Sequence, residues 1–259
     1  MDPRLITKVV FAMSASERTP IGFVYDKVAP ILQEVRSHPL VEAAEFAGSL
    51  RRRQETIRDI DILVSVEDIN YLEQLQDDVT SMLEAVLGQV EVEAQGERKI
   101  RARDQEGLQI DFLFVPSNQY GCALQYFTGS KEHNIEVRKR AIALGFKLNE
   151  KFLVNSRGET VFTPREEAVY RALGIPYMPP ELRQDGTEVG KTAPKLIELS
   201  DVRGTLHNHT NWSDGSASVA QMHAAAYDKG HRYIAITDHT KAVAIANGLD
   251  ERRWYEQRE

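Results

Sequence analysis

The stretch EFAGSLRRRQETIRDIDILVSV, from Glu45 to Val66, decides how the rest of the chain is read. Aspartate is a poor strand residue, yet Asp59 and Asp61 sit inside a β-branched apolar run. Residues i and i+2 of a strand point to one face. Asp59 and Asp61 therefore share a face, while Ile60, Ile62 and Val64 share the other and can enter a core. Two carboxylates at ~4 Å repel by roughly 4 kcal/mol at an effective dielectric of ~20. Solvation relieves that repulsion, and so does a divalent cation between them. A strand ending in Gly48-Ser49 presents N–H groups and a hydroxyl to an anion. Arg51, Arg52 and Arg53 add charge suited to phosphate. Phosphate on one side and metal on the other is the layout of a nucleotidyl-transfer site. The bland reading of a bare DxD, a solvated strand face, stands beside it.

Working outward, the 259 residues allow two domains. A formal charge of −7 argues against a protein that coats nucleic acid nonspecifically, and leaves local basic patches open. The single cysteine, Cys122, forms no internal disulfide and fits a reducing compartment, so a cytoplasmic location is expected. No apolar run approaches a membrane span, and Val9–Met13 is too short for a signal peptide.

Apolar spacing predicts a helix from Ile21 that ends before His38-Pro39. A strand over 41–47 leads into Gly48-Ser49, and another runs from Asp59 to Val66. A long amphipathic helix follows over 68–87, closed by Gly88. Three strands are expected at 89–95, 97–104 and 108–115. In the middle one Lys99, Arg101 and Arg103 share a face, either as solvated charge or as a phosphate track. Three cations on one face repel without an anion. In the last strand Asp111 stands among apolar neighbours and needs a partner or a metal. If that strand lies beside the Asp59–Asp61 strand, three carboxylates converge.

Beyond Asn118 the pattern turns helical. A helix over 131–144 is stopped by Gly145, with Asn134 and Arg138 neighbours at i and i+4. Segments 146–149 and 151–154 form a hairpin. Thr163-Pro164-Arg165-Glu166 predicts a helix start with Thr163 as N-cap and Glu166 closing a capping box. Residues 184–199 read as a linker. A different chemistry begins at Asp201. His207 and His209 stand at i and i+2 on one face of a strand end, Asp214 follows, and a second strand over 233–239 ends in Asp238-His239. An isolated HxH is often incidental. Two strands that both end in such residues look like a barrel-type metal site.

Gly48-Ser49-Leu50-Arg51-Arg52 with Asp59, Asp61 and Asp111, then Tyr126-Phe127-Thr128-Gly129-Ser130 with Asn134 and Arg138, resembles the family X DNA polymerases. Gly145-Phe146 and Leu148-Asn149-Glu150 continue the likeness, which covers about residues 20–183. Residues 201–259 resemble the start of the polymerase and histidinol phosphatase domain that bacterial and archaeal members carry at their C-terminus. The resemblance implies an α+β fold: a nucleotidyltransferase-type palm with a mixed sheet, a small α/β thumb, and the incomplete start of a (β/α) barrel. The implied order is a residual fingers helix in 1–37, palm in 38–117, thumb in 118–183, linker in 184–199 and truncated phosphatase-type domain in 200–259.

By that resemblance Asp59, Asp61 and Asp111 hold Mg2+ or Mn2+. Ser49 and Arg52 hold the triphosphate, Tyr126 and Phe127 pack against the sugar, Asn134 reaches the base, and Gly48, Gly129 and Ser130 complete the nucleotide-binding set. Lys99, Arg101, Arg103 and Arg138 face the DNA. His207, His209, Asp214 and His239 supply part of a Zn2+ or Mn2+ site. The implied activity is DNA-directed addition of dNTPs to a primer 3′-hydroxyl by two metal ions, in short-gap repair, by a monomer acting on gapped primer–template DNA with no membrane partner. Three departures from the family accompany the match. Only residues 1–37 precede the palm, Gln109 stands where the vertebrate repair enzyme has arginine, and the last domain stops after two strands. The chain is therefore expected to be a fragment whose last segment folds poorly and hydrolyses nothing. Rival readings are a template-independent nucleotidyltransferase, a metal-dependent phosphoesterase and a catalytically silent DNA-end binder.

Overall fold

A computed structural model describes residues 18–259, so the first part of the expected 1–37 segment lies outside the described residues. The chain divides into two compact units between Ala193 and Pro194.

In the first unit, β1 (Thr19–Pro20) runs straight into α1 (Ile21–Ser37). Val24, Val28, Ile31, Leu32 and Val35 form its buried stripe, as the apolar spacing requires. It ends where His38 turns extended before Pro39. Then come β2 (Val41–Phe46), the one-turn α2 (Gly48–Arg51) and β3 (Thr56–Ile57). β3 closes a small antiparallel ladder with β1 that no alternation in the sequence signals. β4 (Asp59–Val66) leads to a 3-10 turn over Ile69–Tyr71 and on to α3 (Leu72–Leu87). The expected helix start at Asp68 is thus one tighter turn, with the Asp68 side chain accepting from the Asn70 amide. β5 (Val90–Gly96), β6 (Lys99–Asp104) and β7 (Gln109–Pro116) complete the sheet.

The sheet order is β2-β4-β7-β6-β5. Only the central β4–β7 pair is parallel, so the sheet is mixed. Ile60, Ile62 and Val64 from β4, Phe112 and Phe114 from β7, and Ile100 and Ala102 from β6 pack with α1 and α3 into one core. All of these are at most 1% exposed, so truncating an isoleucine to alanine here costs about 2–5 kcal/mol. The opposite face is covered by α4 (Tyr120–Thr128), whose Tyr120, Ala123 and Leu124 meet Leu63 and Val115. Those residues lie toward the C-terminal ends of β4 and β7. Asp59, Asp61 and Asp111 lie on the same face near the N-terminal ends, beyond that cover.

α5 (Lys131–Ala143) is capped by the Ser130 hydroxyl, which accepts from the His133 amide at 3.2 Å. It closes at Gly145, whose φ is 77°. β8 (Lys147–Leu148) and β9 (Leu153–Val154) form the expected hairpin, and β10 (Thr160–Val161) adds a third strand. α6 (Glu166–Ala172) corrects the capping-box reading. Its N-cap is Arg165, with no side-chain cap. Thr163 is buried with its hydroxyl 3.2 Å from Cys122 Sγ, and Glu166 turns inward to two arginines. A buried carboxylate gains more from two guanidinium groups than from one backbone amide. The expected linker also differs in its first half, because Val189 and Ala193 pack onto the core under α5 and α6.

In the second unit a parallel pair, β11 (Gly204–Thr205) and β12 (Tyr233–Ile234), flanks α7 (Val219–Asp228), and α8 (Glu251–Arg258) follows. Both strands are shorter than predicted. His207, His209, Asp238 and His239 therefore lie in loops past the strand ends rather than on a strand face. Leu206 is 67% exposed.

Candidate active site

The parallel β4–β7 register places Asp61 directly beside Asp111 and Asp59 beside Gln109. The adjacency on which convergence of the three carboxylates depended is present. Burial and the neighbouring Asp59 and Asp111 carboxylates push the Asp61 carboxyl up to about 6. Gly48 explains itself here: a Cβ on it would lie 2.3 Å from Asp61 Oδ2, and its φ is 55°. Asp59 pairs with Arg58 at 3.0 Å.

Asp111 has found partners. Antiparallel register sets Arg101 opposite it, and the guanidinium binds both its oxygens, at 2.9 and 3.0 Å. Lys99 Nζ lies 3.0 Å from Asp111 Oδ2, and Gln109 donates to the same oxygen at 3.3 Å. Burial raises the Asp111 carboxyl, but the Arg101 and Lys99 hydrogen bonds outweigh it and hold it below the usual range. Arg103 pairs with Glu93 at 2.6 Å. The repulsion within the cation row is thus relieved by carboxylates of the same sheet. A cavity of about 260 Å³ opens onto Asp61, Lys99, Asp111 and Phe127.

The arginine cluster separates into three tasks. Arg51 turns inward, donating to Thr128 Oγ1 at 2.6 Å and to Glu166 at 2.8 Å. Arg52 donates to the Thr128 carbonyl, and among the described residues its buried Nε has no partner. Burial and the nearby Arg183 lower its pKa. Arg53 lies over the Tyr25 ring at 4.4 Å. A second cavity, of about 620 Å³, is lined by Arg52, Tyr126, Phe127, Gly129, Asn134 and Arg138, among others. Phe127 belongs to both cavities. Six expected nucleotide- or DNA-contacting residues thus come together. Gly48, Ser49 and Ser130 do not line the cavity, and the Ser130 hydroxyl donates to the Gln184 carbonyl at 2.5 Å. Asn134 is fixed at both ends, accepting from Gln125 and donating to the Tyr126 carbonyl, each at 2.7 Å.

Reading the sequence missed a buried network behind this cavity. Arg183 is fully buried, paired with Glu166 and with the Met178 carbonyl. Tyr177 donates to Glu166 at 3.1 Å. Glu166 is charged there, because Arg183 and Arg51 outweigh its burial and depress its pKa. Nothing in the spacing of residues 51, 166 and 183 announces the contact.

In the second unit His209, Asp214 and His239 bring ligating atoms within 4.8 Å of one another. Among the described residues the three palm carboxylates do not draw together so tightly. The His207 ring lies 4.9 Å from that of His209. His209 Nδ1 is buried, 3.2 Å from Asp214 but without hydrogen-bond geometry, so among the described residues it is an orphaned nitrogen beside the cluster's carboxylate. Asp238, which the motif reading passed over in favour of His239, organises the loops. It accepts from the Thr210 amide at 2.6 Å, the Thr210 hydroxyl at 2.5 Å, the Ser213 hydroxyl and Gln257 at 2.5 Å.

Comparison with known proteins agrees with this layout. The family described as DNA polymerase beta thumb matches residues 123–184. The chain is 33% identical over 246 residues to the DNA polymerase/3′-5′ exonuclease PolX of Bacillus subtilis, an alignment that covers 93% of this chain and 42% of that protein. It is 32% identical over 166 residues to the DNA polymerase lambda of Rattus norvegicus, covering 52% of this chain and 28% of that protein. The chain thus spans less than half the length of either relative. A match to the polymerase beta thumb over residues 123–184, and a third of its residues shared with PolX along nearly its whole length, place this chain in the family X DNA polymerases.

Proposed function

We propose that the chain is a DNA-directed DNA polymerase that adds dNTPs to a primer 3′-hydroxyl in short-gap repair. The observation that carries this is the in-register Asp61–Asp111 pair opening onto a cavity that shares Phe127 with the Arg52–Asn134 pocket. In the reaction the 3′-oxygen attacks the α-phosphorus, a new P–O bond forms, the α–β bridging bond breaks and pyrophosphate leaves. Three carboxylates are hard oxygen donors suited to Mg2+ or Mn2+, and the raised Asp61 carboxyl marks negative charge crowded enough to welcome a cation. Asp59, Asp61 and Asp111 would hold the ions. When bound, these lower the pKa of the 3′-hydroxyl and neutralise the departing pyrophosphate. Arg52, with its unpaired buried Nε, would bind the triphosphate together with the amides of the Gly48-Ser49 turn. Tyr126 and Phe127 would pack on the sugar and Asn134 would meet the base. Lys99, Arg101, Arg103 and Arg138 would face the DNA backbone, the first two on leaving Asp111. Single-nucleotide insertion into gapped DNA with Mg2+ or Mn2+, with and without a template base, tests the reading. Extension independent of template would favour the template-independent rival, and none at all would favour the silent end binder.

A second reading concerns the other unit. The His209–Asp214–His239 cluster, with the orphaned His209 Nδ1, supports a Zn2+ or Mn2+ site of a phosphoesterase whose β11–α7–β12 piece is the start of a (β/α) barrel. Metal-dependent release of 3′-nucleotides by the chain, lost in His209→Ala, would support that activity.

A further inference from the structure

We propose that residues 184–190 are a strap that backs the α5 wall of the nucleotide pocket from outside the cavity, with Glu188 a positioning residue that acts through His133 on Asn134. The proposal rests on the pocket reading above. His133 is fully buried in the first turn of α5, and both its ring nitrogens are engaged. Nδ1 lies 2.7 Å from Glu188 Oε1, and Nε2 lies 2.8 Å from the Tyr170 hydroxyl. A carboxylate only accepts. Nδ1–H therefore donates to Glu188, and Nε2 of the neutral ring accepts from Tyr170 O–H. Burial lowers the His133 pKa, in keeping with that neutral form. Glu188 thereby selects the tautomer and the ring orientation.

The strap is held close along its length. The Ser130 hydroxyl donates to the Gln184 carbonyl at 2.5 Å. Asp185 Oδ1 accepts from the Thr187 amide at 3.0 Å and its hydroxyl at 2.8 Å, which turns the chain. At Gly186, φ is 85° and a Cβ would meet the Glu132 carbonyl at 2.9 Å, so only glycine lets the strap lie against the first turn of α5. That same turn carries Lys131 and Asn134 into the cavity wall. The turn is held by the Ser130 cap, by the contacts of Asn134 with Gln125 and the Tyr126 carbonyl, and by His133, whose ring is fixed between Tyr170 and Glu188. A displacement of a fraction of an ångström at Asn134 is enough to spoil the seat of a base.

The test is single-nucleotide insertion on gapped DNA by the full chain, its Glu188→Gln and its Glu188→Leu variants, with hydrogen exchange measured on the same samples. Gln keeps an acceptor for Nδ1–H and should behave as the wild type. Leu should raise the dNTP KM about tenfold while kcat stays within about threefold and DNA affinity is unchanged. Amides of residues 131–138 should exchange faster in the Leu variant, with β4 and β7 unaffected. An unchanged KM together with a lowered Tm would reduce Glu188 to an anchor and overturn the positioning role. Unchanged exchange over 131–138 would overturn the strap itself. A wild type that inserts no nucleotide would sink the polymerase reading instead, and the exchange arm would still decide the strap.

Discussion

The five-stranded sheet of the first unit, the expected palm, and the second unit both gather residues suited to metal ions, and they do it by opposite means. In the palm, backbone register sets the carboxylates. Eight paired positions along β4 and β7 fix Asp61 beside Asp111, whatever the side chains then do. In the second unit the paired strands are two residues long, and the donors stand in loops beyond them. There the order comes from side chains, chiefly four hydrogen bonds onto Asp238. A register site tolerates loss of any one side chain without losing its shape. A loop site tied at one carboxylate does not. The thumb lies between these extremes, with short elements knotted by the buried Arg51–Glu166–Arg183 network.

The largest expected effect tests the palm half of the contrast. Asp111→Asn should abolish nucleotide addition, a loss of about 10³-fold or more, while DNA affinity and Tm stay nearly as they were. A variant that unfolds would break the claim that register alone shapes the site, and one that extends primers normally would remove Asp111 from it. In the thumb, Glu166→Ala leaves two buried guanidinium groups without their shared partner and should cost about 3–5 kcal/mol in chemical denaturation. The pH dependence has a definite sign. The Glu166 pKa is depressed in the folded chain, so its stabilisation is complete above the ordinary value of 4.5 and is lost as pH falls through the lower folded value. Melting curves from pH 7 to pH 3 should show this acid limb, flattened in Glu166→Gln. An unaltered limb would assign acid lability to another group.

For the second unit, Asp238→Ala should weaken Zn2+ or Mn2+ binding by about 10–100-fold in calorimetry while primer extension is untouched. Equal affinity would mean that the loops hold without their knot. The smallest effect concerns the cation row. If Lys99, Arg101 and Arg103 track DNA phosphates, neutralising one should reduce the slope of log K against log salt by roughly 0.9. Identical slopes in all three variants would leave these cations as partners of Asp111 and Glu93 alone.

How much was legible in the sequence follows the same divide. Period-two alternation exposed the palm strands to within two residues, and with them which face Asp59, Asp61 and the cation row occupy. The pairing of β4 with β7 stood only as a condition, because the company that a lone Asp111 requires is met by Arg101 and Lys99 of β6. Spacing cannot show contacts between residues distant in sequence. Glu166 looked like a capping residue because its local neighbours fit one, and the competing partners come from segments far away on either side. The 184–190 segment looked like a linker because its turn residues are those of linkers. Its burial is decided by His133, which carries no local mark of it. In the second unit the HxH pattern was read as a strand, and the pairing partner that would have extended β11 is supplied only over two positions.

The Arg51–Glu166 pair also sets a clock on synthesis. The two residues are 115 positions apart, and a ribosome adding about 5–20 residues per second takes on the order of 6–23 s to make the second after the first. In the later part of that interval, once Pro116 has been added, the palm strands can be out and paired, while Arg51 has no carboxylate to turn toward. A newborn palm therefore shows Arg51 to the polyanions around it, messenger RNA included. Emergence of the thumb then withdraws Arg51 from that crowd and leaves Arg52 facing the pocket.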